Sequence, residues 1–123
     1  MRAFSSLNLN KDFRRAYYHG KSFVTPSVVV YFSKNRENTC RMGITTSKKI
    51  GCAVRRNRAR RVIRAAFDEL YRNEKVIEGL KGKDVVIVAR TRATNVKSTV
   101  VLEHLSDAFA SYGLLPKSQP ECD

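Results

Sequence analysis

A chain of 123 residues with 24 Lys or Arg against 11 Asp or Glu carries a net charge of +13, and is long enough for one domain with a modest core. No apolar run approaches the roughly 20 residues of a spanning helix, and the first residues lack a signal-peptide core, so membrane and secretory classes are set aside and the expected address is the cytoplasm. Cys40, Cys52 and Cys122 have unrelated spacings, with only His19 and His104 beside them, which excludes a disulfide framework and a zinc pattern.

The charge is also lopsided. Residues 1–64 hold a net +14 and residues 65–123 a net −1, so the amino-terminal half supplies the electrostatic field. The chain is read as a single domain over 1–123, with an ordered core of about 8–113 and flexible termini. Residues 1–9 read as a loose segment. Asn10 then suits a helix start and Gly20 a helix stop. Between them Phe13, Ala16 and Tyr17 share a face at i, i+3, i+4; on spacing alone this face packs a core or binds a ligand, and core packing is the simpler reading.

Residues 22–24 form a short extended piece broken at Pro26. Residues 28–33 alternate, placing Val28, Val30 and Phe32 on one side and Val29 and Tyr31 on the other. After a polar turn at 34–38, residues 40–46 return as a strand, with Cys40, Met42 and Ile44 opposite Arg41, Gly43 and Thr45. Residues 46–54 are a basic connector in which Gly51 gives the chain freedom.

A helix is expected from about Arg56. Ala59, Val62, Ile63, Ala66, Phe67 and Leu70 form one broad apolar stripe at 100° per residue. Six arginines fall within the ten positions from Arg55 to Arg64, and no acid interrupts them. Asn57, Arg61 and Arg64 project opposite the stripe, while Arg58 and Arg60 flank it. Mutual repulsion of these charges destabilises an isolated helix, and mixed signs would serve solubility as well. A polyanion is the better explanation. The helix fades near Arg72 or Lys75, and Gly79 and Gly82 punctuate a loop. Residues 85–89 are apolar on both faces, as in an interior strand covered by helices. A last helix, about 95–112, is expected to bury Val101, Leu102, Leu105 and Phe109 and to stop at Gly113. The class is α+β: one small domain in the order αβββαβα, a mixed sheet with helices packed on it.

A protein nuclease needs carboxylates gathered around metal ions, or a histidine acid and base. The basic half offers only Asp12 and Glu37, far apart along the chain. Asp68 lies one turn beyond Arg64 and suits an ion pair with it, and Glu69 alone makes no metal site. His19 reads as a turn residue. We therefore assign no catalytic residue and no metal ligand to this chain.

Ser47-Lys48-Lys49-Ile50-Gly51, Ala53-Val54 and Arg56-Asn57-Arg58 with Arg60, Arg61 and Arg64 closely resemble the signature of the bacterial ribonuclease P protein subunit. Asp12-Phe13 through His19-Gly20, Tyr31, and Lys83 through Arg90 resemble their counterparts too, so about residues 8–112 are covered. Ala59 departs from the pattern, standing where a larger aliphatic residue is usual. The resemblance implies a left-handed β-α-β crossover, where general sterics favour a right-handed one. It also implies that catalysis resides in an RNA, with Mg2+ held mainly by that RNA, and that the protein assists removal of the 5′ leader of precursor tRNA.

Carried over by position, Lys48, Lys49, Arg55, Arg56, Asn57, Arg58, Arg60, Arg61 and Arg64 should meet the catalytic RNA. The planar guanidinium fork suits phosphate and stays charged. Phe13, Tyr17 and Tyr31 match aromatic positions that contact the leader, where stacking is tolerant of sequence; Tyr17 stands where phenylalanine is common. The implied partners are ribonuclease P RNA and precursor tRNA, with no obligatory protein partner and no membrane. A structural ribosomal RNA-binding protein is the alternative that charge and size would equally allow.

Overall fold

The computed structural model of the chain describes residues 4–7, 10–35, 39–46 and 48–113. The strands are β1 (Phe4–Ser6), β2 (Lys21–Val24), β3 (Val28–Lys34), β4 (Cys40–Thr45) and β5 (Lys83–Ala89). The helices are α1 (Asn10–His19), α2 (Ala53–Leu70), α3 (Glu74–Leu80) and α4 (Ser98–Tyr112). They build one mixed sheet in the order β1-β4-β5-β3-β2, with β1 and β5 parallel to β4, and β3 antiparallel to β5 and β2. The expected order αβββαβα is present with two additions. Among the described residues no helix is long and apolar enough to cross a membrane.

The segment read as loose contains β1, which pairs in parallel with residues 40–42, and Leu7, which is buried. Three residues are too few to display an alternation, so only pairing reveals this strand. The connector at 46–54 is also more regular than expected. Lys48–Ile50 is a turn of 3-10 helix with Ile50 buried, and Gly51 at φ 127° takes a left-handed conformation that other residues avoid. α2 therefore begins at Ala53, three residues early. The loop expected after it holds α3, capped by the Asn73 side chain, which accepts the Lys75 N–H at 2.9 Å. The expected flexible carboxyl terminus and Cys122 lie outside the described residues, as does Glu37.

Strand alternation divides the core into two faces. Val28, Val30, Phe32, Cys40, Met42, Val85 and Ile87 face α2, α3 and α4, where Ile63, Phe67, Val76, Leu80, Leu105 and Phe109 complete the main core. Each such side chain contributes about 1.5–3 kcal/mol on burial. Phe32 stacks on Tyr112 at 4.2 Å and meets Phe109 edge-on at 5.4 Å, which locks α4 over β3. The stripe read from the sequence is the one buried: Ala59, Val62, Ile63, Ala66, Phe67 and Leu70. On the other face α1 lays Ala16 on Val86 beside Leu7, with Phe13, Tyr31 and Val88 packed around them. One short helix cannot cover that face, and the uncovered part is where the site lies.

A charged hub fastens α1 to the sheet. Arg41 grips Asp84 with two parallel bonds, Nε to Oδ1 at 2.8 Å and Nη2 to Oδ2 at 2.9 Å. Its third nitrogen reaches Asp12 Oδ2 at 3.4 Å, and Asn35 Nδ2 donates to Asp84 Oδ1 at 2.7 Å. Asp84 and Asp12 are both buried. Buried charges are tolerated only when paired and hydrogen-bonded in this way.

Candidate nucleic-acid interface

Every arginine of the run lies on α2, and no acid stands in that helix's first turn. Arg55 and Arg56 thus sit at the positive end of the helix dipole, an unfavourable place for cations unless an anion approaches. The six arginines do not share one role. Arg56 Nη1 donates to the Gly51 carbonyl at 2.9 Å, Arg58 Nε to the Thr94 carbonyl at 3.0 Å, and Arg60 Nη1 to the Ile44 carbonyl at 3.3 Å. These three side chains are held in place by the fold and keep donors to spare. Arg61 and Arg64 are exposed and make no hydrogen bond or ion pair with the described residues, so Arg64 is not paired with Asp68 as expected. Glu69 instead meets Arg72 at 3.7 Å. Lys49 and Arg55 are exposed; of Lys48 only the backbone is described.

Asn57, Arg60, Arg61 and Arg64, at helical spacing, wall a groove of about 510 Å³ whose other side is Leu7, Met42, Gly43 and Ile44. The expected division of α2 into an apolar and a guanidinium face is therefore present, and the second face is concave because β4 lies beside it.

The three aromatics gather on the α1 side of the sheet. Tyr17 is 38% exposed and meets Tyr31 edge-on, with ring centroids 5.0 Å apart. Its hydroxyl lies 3.5 Å from Thr45 Oγ1. Phe13 is partly buried against the small core, so this ring is both packing and groove wall. Gly43 makes its position possible: a Cβ there would lie 2.7 Å from the Phe13 ring. A second groove, about 480 Å³, runs between Asn10, Phe13, Arg14 and Tyr17 of α1 and Ile44, Thr45, Thr46 and Arg60. Tyr31 does not line it but supports Tyr17 from below. Ile44 and Arg60 belong to both grooves, so the aromatic and guanidinium walls form one continuous surface.

Sequence reading missed Asn10, Arg14, Thr45 and Thr46 as groove residues, and the Arg41 hub beneath. A signal for the hub existed: Arg41 alternates with Gly43 and Thr45 on an otherwise apolar strand, so its charge needed a partner. The partners are remote in sequence, and only the pairing of β4 with β5 brings Asp84 alongside.

Of the described cysteines, Cys40 and Cys52 line neither groove. Burial, reinforced by the charge of Asp84, pushes the Cys40 thiol up to about 12, although a bond with Tyr71 opposes the shift. Cys52 is exposed just before α2, where the N–H groups of Arg55 and Val54 lower its pKa.

The comparisons agree with this geometry. The ribonuclease P family model matches residues 1–113. The chain is 44% identical over 84 residues to the ribonuclease P protein component of Clostridioides difficile, covering 68% of this chain and 70% of that one. It is 40% identical over 105 residues to that of Pelotomaculum thermopropionicum, covering 85% and 89%. Its fold matches the RNase P protein of Staphylococcus aureus with a TM-score of 0.73 at 30% identity, over 89% of this chain and 95% of that one. It matches the protein from Thermotoga maritima with a TM-score of 0.69 at 34% identity, over 85% and 94%. The ribosomal alternative finds no support in these matches. The chain belongs to the ribonuclease P protein family, the RNA-binding components of a ribonucleoprotein endonuclease that processes tRNA.

Proposed function

We propose that this chain binds the catalytic RNA of ribonuclease P through the arginine face of α2, and the 5′ leader of precursor tRNA through the aromatic groove beside α1. The observation that carries the proposal is the shared wall. Arg60 and Ile44 line both grooves, so a strand leaving the catalytic RNA's neighbourhood can pass onto Tyr17 and Phe13 without crossing open solvent. Arg56, Arg58 and Arg60 are pre-positioned by their carbonyl partners, which lowers the ordering cost of gripping a phosphate. Arg61 and Arg64 present free forks. Lys49, Arg55 and Asn57 extend the same face, and Lys48 is assigned to it by its place in the basic motif alone.

On this reading the groove favours any single strand with an exposed base. Stacking on one ring contributes about 1–3 kcal/mol with little sequence preference, which suits leaders of many sequences. Mature tRNA has no leader and gains nothing from the groove, so the protein favours substrate over product. Mg2+, held mainly by the RNA, supplies the activated water and the stabilisation of the leaving oxygen when bound. The two buried carboxylates, Asp12 and Asp84, converge on the Arg41 guanidinium. The protein's part is binding and positioning.

The test is reconstitution. The protein is mixed with a bacterial ribonuclease P RNA and precursor tRNA at magnesium too low for the RNA alone. Restored cleavage is the expected result. Cleavage by the protein without RNA would make it a nuclease in its own right, and no cleavage in either mixture would return the ribosomal alternative.

A further inference from the structure

A third cavity lies away from both grooves. It measures about 360 Å³ and is lined by Arg15 and His19 of α1, Lys21 of β2, Ser33 and Lys34 of β3, and Tyr112 of α4, with Phe32 at its base. At 100° per residue, Arg15 and His19 fall on the flank of α1 opposite Phe13 and Tyr17. β2 and β3 form the sheet edge farthest from β1 and β4, and β2 stands three strands from β4, about 14 Å at normal strand spacing. The arginines of α2 therefore cannot share a phosphate with this cavity.

We propose that this cavity is a second RNA-phosphate site, separate from the arginine face and the aromatic groove. The lining points to an anion. Arg15, Lys21 and Lys34 converge on it, no carboxylate lines it, and none of the three is ion-paired with a described residue. Ser33 also lines the cavity, and its hydroxyl makes no hydrogen bond with the described residues, so it can donate to an anion held there. The ligand is a phosphate rather than a base. Tyr112 is already stacked on Phe32 at 7° between planes, and Lys83 Nζ stands 5.8 Å from the Tyr112 ring centroid, so that ring is engaged within the protein.

Two RNAs could supply the phosphate: the catalytic RNA, or the distal part of a leader passing over the end of α1. The leader source rests on the function proposed above; the catalytic-RNA source does not. Holoenzymes are reconstituted with wild-type protein, with the double variant Lys21→Gln/Lys34→Gln, and with Arg15→Gln. All three side chains are exposed, so melting temperatures should match wild type. Protein affinity for the catalytic RNA, and holoenzyme affinity for mature tRNA and for precursors with short and long leaders, are measured against salt.

The double variant should flatten one salt slope by one to two contacts, about 0.7–0.9 log unit per decade of salt for each. A loss confined to long leaders identifies the leader as the source. A loss in protein affinity for the catalytic RNA, equal for every substrate, identifies that RNA. Unchanged slopes and affinities in both the double variant and Arg15→Gln would overturn the site. Should the wild-type holoenzyme fail to distinguish precursor from mature tRNA, the leader reading falls, and the catalytic-RNA measurement still decides this proposal.

Discussion

Gly43 lies beneath the Phe13 ring, where a single methyl group has no room: a Cβ would meet the ring at 2.7 Å and Leu7 Cβ at 3.1 Å. Gly43→Ala should therefore lift α1 from the sheet, lowering stability by about 1–3 kcal/mol as overpacking does, and widening the aromatic groove. Urea unfolding of the variant checks this; wild-type stability would contradict it. The Cys40 thiol makes a second prediction. Its pKa in the folded chain, about 12, exceeds the ordinary 9.0, and burial likewise raises Tyr71 to about 12. A raised pKa means that stability from these groups is intact below about pH 9 and is lost as pH climbs toward 12. Cys40→Ala should flatten the decline in unfolding free energy between pH 9 and 11 relative to wild type. An unchanged slope would show that the thiol ionises alike in the folded and unfolded states, so that its pKa is not raised by folding. Neither effect was legible in the sequence. The alternation of residues 40–46 gave the direction of each side chain, but not which helix would press on Gly43 or what charge would lie near Cys40.

At the scale of elements, α2 was the most legible part of the chain because its signal is local. Six apolar positions at helical spacing and an unbroken run of arginines need no distant partner to be recognised. Its start was missed by three residues, since Ala53, Val54 and Arg55 add nothing to the stripe and a 3-10 turn precedes them. β1 was illegible, and of the hub only the unpartnered charge of Arg41 could be read, because each forms through contacts remote in sequence. The hub gives a graded prediction. Asp84→Asn removes the charge of a buried carboxylate that holds a half-buried guanidinium with two bonds, and should cost about 3–5 kcal/mol. Asp12→Asn loses one long contact at 3.4 Å, and should cost clearly less. Equal losses in urea unfolding would mean that Arg41 does not discriminate between them. Within α2 the arginines should also separate. Arg58→Ala loses a bond to Thr94 and should lower the melting temperature. Arg61→Ala should leave the melting curve intact yet flatten the salt dependence of RNA binding by nearly one contact, about 0.7–0.9 log unit per decade. An unchanged slope for Arg61→Ala would remove it from the interface.

Over the whole molecule, the division of charge between the two halves becomes a division of surface. The amino-terminal half, net +14, supplies α1, β2, β4 and the first turns of α2, which wall the two grooves and the basic cavity at the sheet's far edge. The remainder, net −1, supplies β5, α3 and α4, which mainly build the core. This asymmetry was plain from composition, while the continuity of the two grooves through Ile44 and Arg60 depends on tertiary packing. The central claim is that the aromatic groove binds the leader, and Tyr17 tests it better than Phe13 because it is more exposed and contributes little to the core. Holoenzymes carrying wild-type protein or Tyr17→Ala are compared for affinity to precursor and mature tRNA, alongside the melting curve of each protein. The account predicts that the variant binds precursor tRNA about 1–3 kcal/mol more weakly, with mature tRNA affinity and melting temperature unchanged. Equal losses for precursor and mature tRNA, or no loss for either, would contradict it.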